Sequence, residues 1–270
     1  MIIDFHTHIF PEKIASATVA ALAKNASETA HTDGSFDGLV SALARAGVDI
    51  SVNLPVLTRP TQFDSVKRFA EEVNERRGRE NTPIISFAGA HPAMDSVEER
   101  MHELALSGFL GVKVHPDYQS TDFDDEGYVR IVKAAKRERL IVVTHAGVDA
   151  AYIGQPVRCN PTSVLRLLDR VGGYDKLVLA HYGGNRMANE VYDSLAGEDI
   201  YFDTAYILGS LDRASFVKIL EKHGDDRILF ASDSPWRDIA EDVSVIRSFM
   251  LGDESEEKIF SLNAKRLLKL

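Results

Sequence analysis

At 270 residues, 44% of them hydrophobic, the chain can bury one large core or two modest ones. A formal net charge of −10, with no lysine- or arginine-rich run, argues against nucleic acid or an anionic membrane surface as partner. The lone cysteine, Cys159, excludes an internal disulfide, and no apolar run approaches the roughly 20 residues that span a bilayer. The expectation is a cytoplasmic protein, residues 1–270 forming one domain, that acts on a small molecule; a homo-oligomer is left open.

The first element is a strand. Met1-Ile2-Ile3-Asp4-Phe5-His6-Thr7-His8 begins with β-branched residues suited to a buried strand. Alternate residues of a strand share a face, so Asp4, His6 and His8 lie together. Two imidazoles about 7 Å apart on that face can converge on one metal ion.

Seven further apolar runs follow at Ile50–Leu54, Ile84–Ala88, Leu110–Val114, Leu140–Thr144, Leu177–Ala180, Ile200–Asp203 and Ile228–Ser232. Amphipathic stretches separate them, among them 63–77 and 124–139. In the first of these, Phe63, Val66, Phe69, Ala70 and Val73 form a stripe at spacings of three and four. Strands without polar alternation, each followed by a helix, read as a parallel sheet buried on both faces. Eight of them read as an α/β fold, a (β/α)₈ TIM barrel.

Polar residues punctuate the strand ends. His91-Pro92, His115-Pro116, His145-Ala146-Gly147, His181-Tyr182-Gly183-Gly184, Asp203-Thr204 and Asp233-Ser234-Pro235 each follow an apolar run. In a barrel these ends ring a single mouth, where catalytic residues collect. Six of the nine histidines fall there; His31, His102 and His223 read as solvated surface residues. Nitrogen and oxygen donors without thiolate suit one divalent ion, zinc first, with manganese or iron in its place. His6, His8, His145 and Asp233 are the expected metal ligands.

Asp4-Phe5-His6-Thr7-His8, Thr144-His145-Ala146-Gly147, the 179–184 segment Leu-Ala-His-Tyr-Gly-Gly, and Phe230-Ala231-Ser232-Asp233-Ser234-Pro235 resemble the metal strands of the amidohydrolase superfamily. The resemblance is to the amidohydrolase-related branch that includes aminocarboxymuconate semialdehyde decarboxylase, and it runs to the terminal 263–268 segment. It implies one metal on the His-x-His pair, His145 and Asp233, with His181 catalytic rather than ligating. Other members of the superfamily hold two metals bridged by a carboxylated lysine on strand four. Lys113 occupies that strand, and is read as a plain lysine paired with a buried carboxylate such as Asp4 or Asp203.

A bound metal lowers the pKa of its water towards neutrality and polarises a neighbouring carbonyl. The resemblance implies that Asp233 shuttles the proton, and His181 is expected to steady the developing oxyanion. Asp4 is expected behind the ligands, orienting an imidazole or closing the barrel floor, and Asp203 is expected behind them too. The long loop after strand five offers Tyr152 and Arg158, an arginine able to fork onto a substrate carboxylate. Trp236 is placed to stack on a substrate ring, with His115 and Tyr118 as further substrate-binding candidates.

The main expectation is a metal-dependent hydrolase of an amide, ester or lactone. The alternative is a non-oxidative decarboxylase of a small aromatic or unsaturated acid. Decarboxylases of the branch carry insertions, and this compact chain leans towards hydrolysis on that ground. A non-catalytic barrel would be expected to lack a ligand, and none is missing.

Overall fold

The computed structural model describes residues 1–270. Nine strand segments are present, separated by helices except between β3 and β4: β1 Ile3–Thr7, β2 Ile50–Asn53, β3 Ile84–Ser86, β4 Ala88–Gly89, β5 Gly111–Val114, β6 Ile141–Thr144, β7 Leu177–Leu179, β8 Tyr201–Asp203 and β9 Ile228–Leu229. All pair in parallel, in the orders β1-β2-β3 and β4 through β9. The expected third strand is thus two pieces, broken at Phe87. Its amide still donates to Asn53 O at 3.0 Å. Its ring occupies the space over Gly111, where a Cβ would sit 2.5 Å from Phe87.

The last strand returns to the first through Phe5 N–H to Phe230 O (2.9 Å), Asp233 N–H to His6 O (2.9 Å) and His8 N–H to Ser234 O (2.7 Å). These bonds close the ring of an α/β barrel. β9 is shorter than its apolar run because side chains replace the ladder beyond Leu229. Asp4 accepts from Ser232 N and Oγ at 3.0 and 2.6 Å, while Thr204 Oγ1 binds both Ala231 N and Ala231 O at 2.9 Å. Asp4 therefore stitches the first strand to the last, the second of the two roles expected of it. Burial lifts its carboxyl to about 7.

Both faces of the strands are covered. One apolar cluster of 16 residues is drawn mainly from strands, including Val52, Val143 and Val178. A second, of 56, packs the helices around them. Two cores of this kind explain why the strands read as continuous apolar runs. The stripe at 63–77 lies in helix Phe63–Glu80, and the stretch at 124–139 in helix Glu126–Glu138.

His223 is not on the surface as expected. It stacks on Phe202 (4.0 Å, 10°), accepts from Gly197 N and donates to Ile200 O. Burial lowers it to about 4. No helix is long and apolar enough to cross a membrane.

Candidate metal centre and active-site cavity

His6 and His8 are fixed from behind. His6 Nδ1–H donates to Asp203 Oδ2 at 2.8 Å, and His8 Nδ1–H to Leu54 O at 2.9 Å. Carboxylate and carbonyl oxygens only accept, so each imidazole keeps its lone pair on Nε2. Those two Nε2 atoms stand 3.2 Å apart, with Asp233 Oδ1 3.1 Å from His8 and 3.4 Å from His6. Three acceptors thus converge with no hydrogen between them, an arrangement that calls for a cation. The donor set fits a divalent metal.

The only donor in reach is Lys113, whose Nζ lies 3.0 Å from His6 Nε2. It is fully buried and makes no ion pair with Asp4 or Asp203, contrary to expectation. Burial brings its amine down to about 8, against the opposing pull of Asp203 and Asp233. The same burial, together with the Lys113 charge, holds His6 well below the ordinary histidine range. Asp203 is lifted by burial to about 6.

A second group lies beside the first. His181 Nδ1–H donates to Ala205 O at 2.9 Å, so its Nε2 accepts from His145 Nδ1–H, also at 2.9 Å. His145, expected as a metal ligand, is therefore turned to His181 and groups with His115 and Asp149 instead. To join His6, His8 and Asp233 its ring would have to leave His181. His115 is stacked between His145 (4.3 Å, 12°) and Tyr118 (4.0 Å, 14°). Burial is the first cause that holds both His115 and His145 well below the usual range.

Local backbone holds this group in place. Gly147, at φ 83°, runs so close to Asn185 that a Cβ would lie 2.2 Å from its amide nitrogen; only glycine fits there. The loop it begins carries Asp149, whose Oδ1 accepts from Ala151 N at 2.7 Å. Gln119 pins the His115–Tyr118 turn: it accepts from His115 N and Tyr128 Oη, and donates to Leu57 O and Ala90 O. His181, Tyr206 and Asp233 all have left-handed backbones, at φ 59°, 67° and 70°. Non-glycine residues pay roughly 1–3 kcal/mol each for this, and such outliers gather at functional sites.

These side chains open into a cavity of about 560 Å³. His115, Tyr118 and Trp236 line it as expected, alongside an apolar wall that includes Phe10, Leu22 and Phe69. Arg158 does not. Its guanidinium pairs with Asp122 at 3.0 Å, away from the cavity, so it is not placed for a substrate carboxylate. Sequence reasoning missed Asp149, Glu28 and Tyr206, which also line the cavity, and Asp117 behind it. Cys159 is buried, and burial pushes its thiol upward, away from nucleophilic use.

No curated protein matches the chain. Among solved structures, it is similar to a dihydroxybenzoic acid decarboxylase from a Polaromonas species with bound manganese and 2-nitroresorcinol (TM-score 0.75, 17% identity, 100% of this chain and 97% of that one). It is also similar to 2,6-dihydroxybenzoate decarboxylase from Rhizobium (0.73, 17%, 99% and 98%). A third likeness is to 5-carboxyvanillate decarboxylase from Novosphingobium aromaticivorans with manganese and 3-methoxy-4-hydroxy-5-nitrobenzoic acid (0.73, 13%, 100% and 97%).

The hydrolytic expectation is corrected by these likenesses. It leaned on the compactness of the chain, yet the matches cover 97–98% of the decarboxylase chains named above. Zinc as first choice finds no specific support, manganese being the ion bound in two of these structures. A family model described as amidohydrolase matches residues 3–270. With fold, strand-end residues and family model in agreement over the whole chain, the protein belongs to the amidohydrolase family.

Proposed function

We propose that the protein is a metal-dependent, non-oxidative decarboxylase of small aromatic or unsaturated carboxylic acids. The observation that carries this reading is the convergence of His6 Nε2, His8 Nε2 and Asp233 Oδ1 beside Lys113, at a cavity wide enough for a substituted aromatic ring. Support comes from the likeness in fold to decarboxylases of aromatic acids.

His6, His8 and Asp233 are the residues that would hold the ion, and manganese suits their nitrogen and oxygen donors as well as zinc does. A divalent ion there would supply fixed positive charge for the substrate's carboxylate and any neighbouring hydroxyl.

The remaining roles fall to the chain itself. Lys113 Nζ offers hydrogens to the same anionic end of the substrate. The wall formed by Phe10, Leu22, Phe69 and Trp236 keeps water from the ring and holds it in one plane. When the bond from ring carbon to carboxylate breaks, CO₂ leaves and its electron pair stays on that carbon. A proton must then arrive there. His181, which lines the cavity, is held by Ala205 O and accepts from His145 Nδ1–H on Nε2, is the imidazole that would take the proton from His145 and pass it on. Release of CO₂ by metal-loaded protein, and its loss on chelation, tests this reading.

A further inference from the structure

The cavity has two unlike ends. His6, His8, Lys113, His181 and Asp233 stand at the strand ends, whereas helix Ala15–Ala26 and helix Phe63–Glu80 wall its outer part. The first of these helices lies across the mouth. It follows β1 and packs against the turn Ala150–Tyr152 beyond β6, the fifth barrel position when β3 and β4 count as one. First and fifth positions of a closed eight-stranded ring face each other. Phe10 N–H donates to Gly34 O (2.9 Å) and His31 N–H to Pro235 O (2.7 Å), which ties both ends of the segment to the barrel.

This helix turns different faces to core and cavity. Ala15 and Val19 are buried. Ile14, Thr18, Leu22 and Ala26, each about one turn from the next, line the cavity. Ile14 and Leu22 join neither apolar cluster, and Ile14 is 51% exposed. The other helix divides its stripe. Phe63, Ala70 and Val73 are buried in the core, but Val66 and Phe69 are only half-buried and line the cavity.

The polar groups of this outer part are spent on the chain itself. Gln62 Oε1 accepts from Thr58 N and Arg59 N, both at 2.9 Å, and Ser65 Oγ donates to Gln62 O at 2.9 Å. Glu28, just past the first helix, is held by Tyr206 Oη. Lys113 is the only lysine or arginine that lines the cavity, and it is turned to His6. No cation in the outer part receives a second anion. Apolar side chains left uncovered at the wall of such a cavity favour an apolar ligand group.

We propose that Ile14, Leu22, Val66 and Phe69 form a subsite for an apolar arm of the substrate. This rests on the decarboxylase reading and narrows its substrate class to aromatic or unsaturated acids that carry an uncharged alkyl chain or a second ring. The carboxylate faces His6, His8, Lys113 and Asp233, and the arm runs out beneath helix Ala15–Ala26. Leu22 and Phe69 then touch both the ring and its arm.

Calorimetric binding to manganese-loaded protein tests this, using benzoate, 3- and 4-butylbenzoate, and terephthalate. The better of the two butyl compounds is expected to bind about tenfold or more tighter than benzoate, with a more negative heat-capacity change. Terephthalate should bind more weakly than benzoate. Leu22→Gln, a good helix former on a half-buried face, should bring the butyl compound to within about threefold of benzoate. Val66→Thr keeps the shape and adds a hydroxyl, so it should shrink the same ratio about threefold without opening a void. Each ratio is read within one protein, so a general loss of affinity does not imitate the effect.

Equal binding of benzoate and both butyl compounds to the wild type overturns the proposal. So does a preference that survives both substitutions, or terephthalate binding tighter than either butyl compound. Binding needs no turnover, so the two readings fail separately. Apolar preference without CO₂ release from any acid refutes the reaction, and CO₂ release without apolar preference refutes the subsite.

Discussion

Asp203 accepts the Nδ1 hydrogen of His6 at 2.8 Å, and this contact decides which nitrogen of His6 faces Asp233. The other oxygen of Asp203 accepts from His181 N and Ala205 N at 3.0 and 3.1 Å. Both oxygens are thus committed to donors. In Asp203→Asn one of them becomes an NH₂ group facing an N–H. We expect metal affinity to fall about 10- to 100-fold, the usual consequence of losing such a supporting partner, as read by competition with a chromogenic chelator. Unchanged affinity would mean that the contact does not orient His6.

The ligands themselves should behave more severely. His6→Ala and His8→Ala each remove one of three converging acceptors, and both proteins are expected to be purified with far less than one equivalent of divalent metal. Elemental analysis decides. Stoichiometric metal in the double substitution contradicts the assignment.

His181 is predicted to separate metal binding from turnover. Its two ring nitrogens are engaged with Ala205 O and His145, not with His6, His8 or Asp233. His181→Asn should therefore keep its metal and lose about 10²-fold or more in kcat, with KM little changed. Loss of metal in this variant would show that His181 is a ligand.

His223 gives a prediction about stability and pH. Its folded value of about 4 lies below the ordinary 6.5, so the unfolded chain takes up the proton first. The contribution is fully present above pH 6.5 and is lost as pH falls towards 4, on the order of 3 kcal/mol at most. Between pH 7 and 5 the wild type should lose more in Tm than His223→Gln does. The other buried histidines are common to both proteins and cancel in the difference.

The strand-end pattern made the barrel and the His6, His8 and Asp233 convergence legible, because breakers follow each polar residue and mark where the strands stop. His223 was not legible: a histidine at the end of helix Arg213–His223 looks solvated until Phe202 and the Ile200 carbonyl pack against it. Nor were Asp117 and Asp149. They sit in turns whose approach is set by Gln119, Gly147 and Asn185, partners 29 to 62 residues from the atoms they hold in the longest cases. The orientation of His145 was equally hidden, since it depends on the tautomer that Ala205 O imposes on His181. Chain length was a misleading guide to the reaction, because it says nothing about the atoms at the mouth.

The most direct test of the central claim is to follow carbon. Metal-loaded protein is incubated with a panel of hydroxylated and alkylated aromatic acids, lactones and amides, and CO₂ is read by a coupled assay beside the organic products. The account predicts CO₂ released one for one with loss of an aromatic acid, abolished by chelation and restored by a divalent ion. Turnover of a lactone or amide with every carbon retained and no CO₂ from any acid would contradict it.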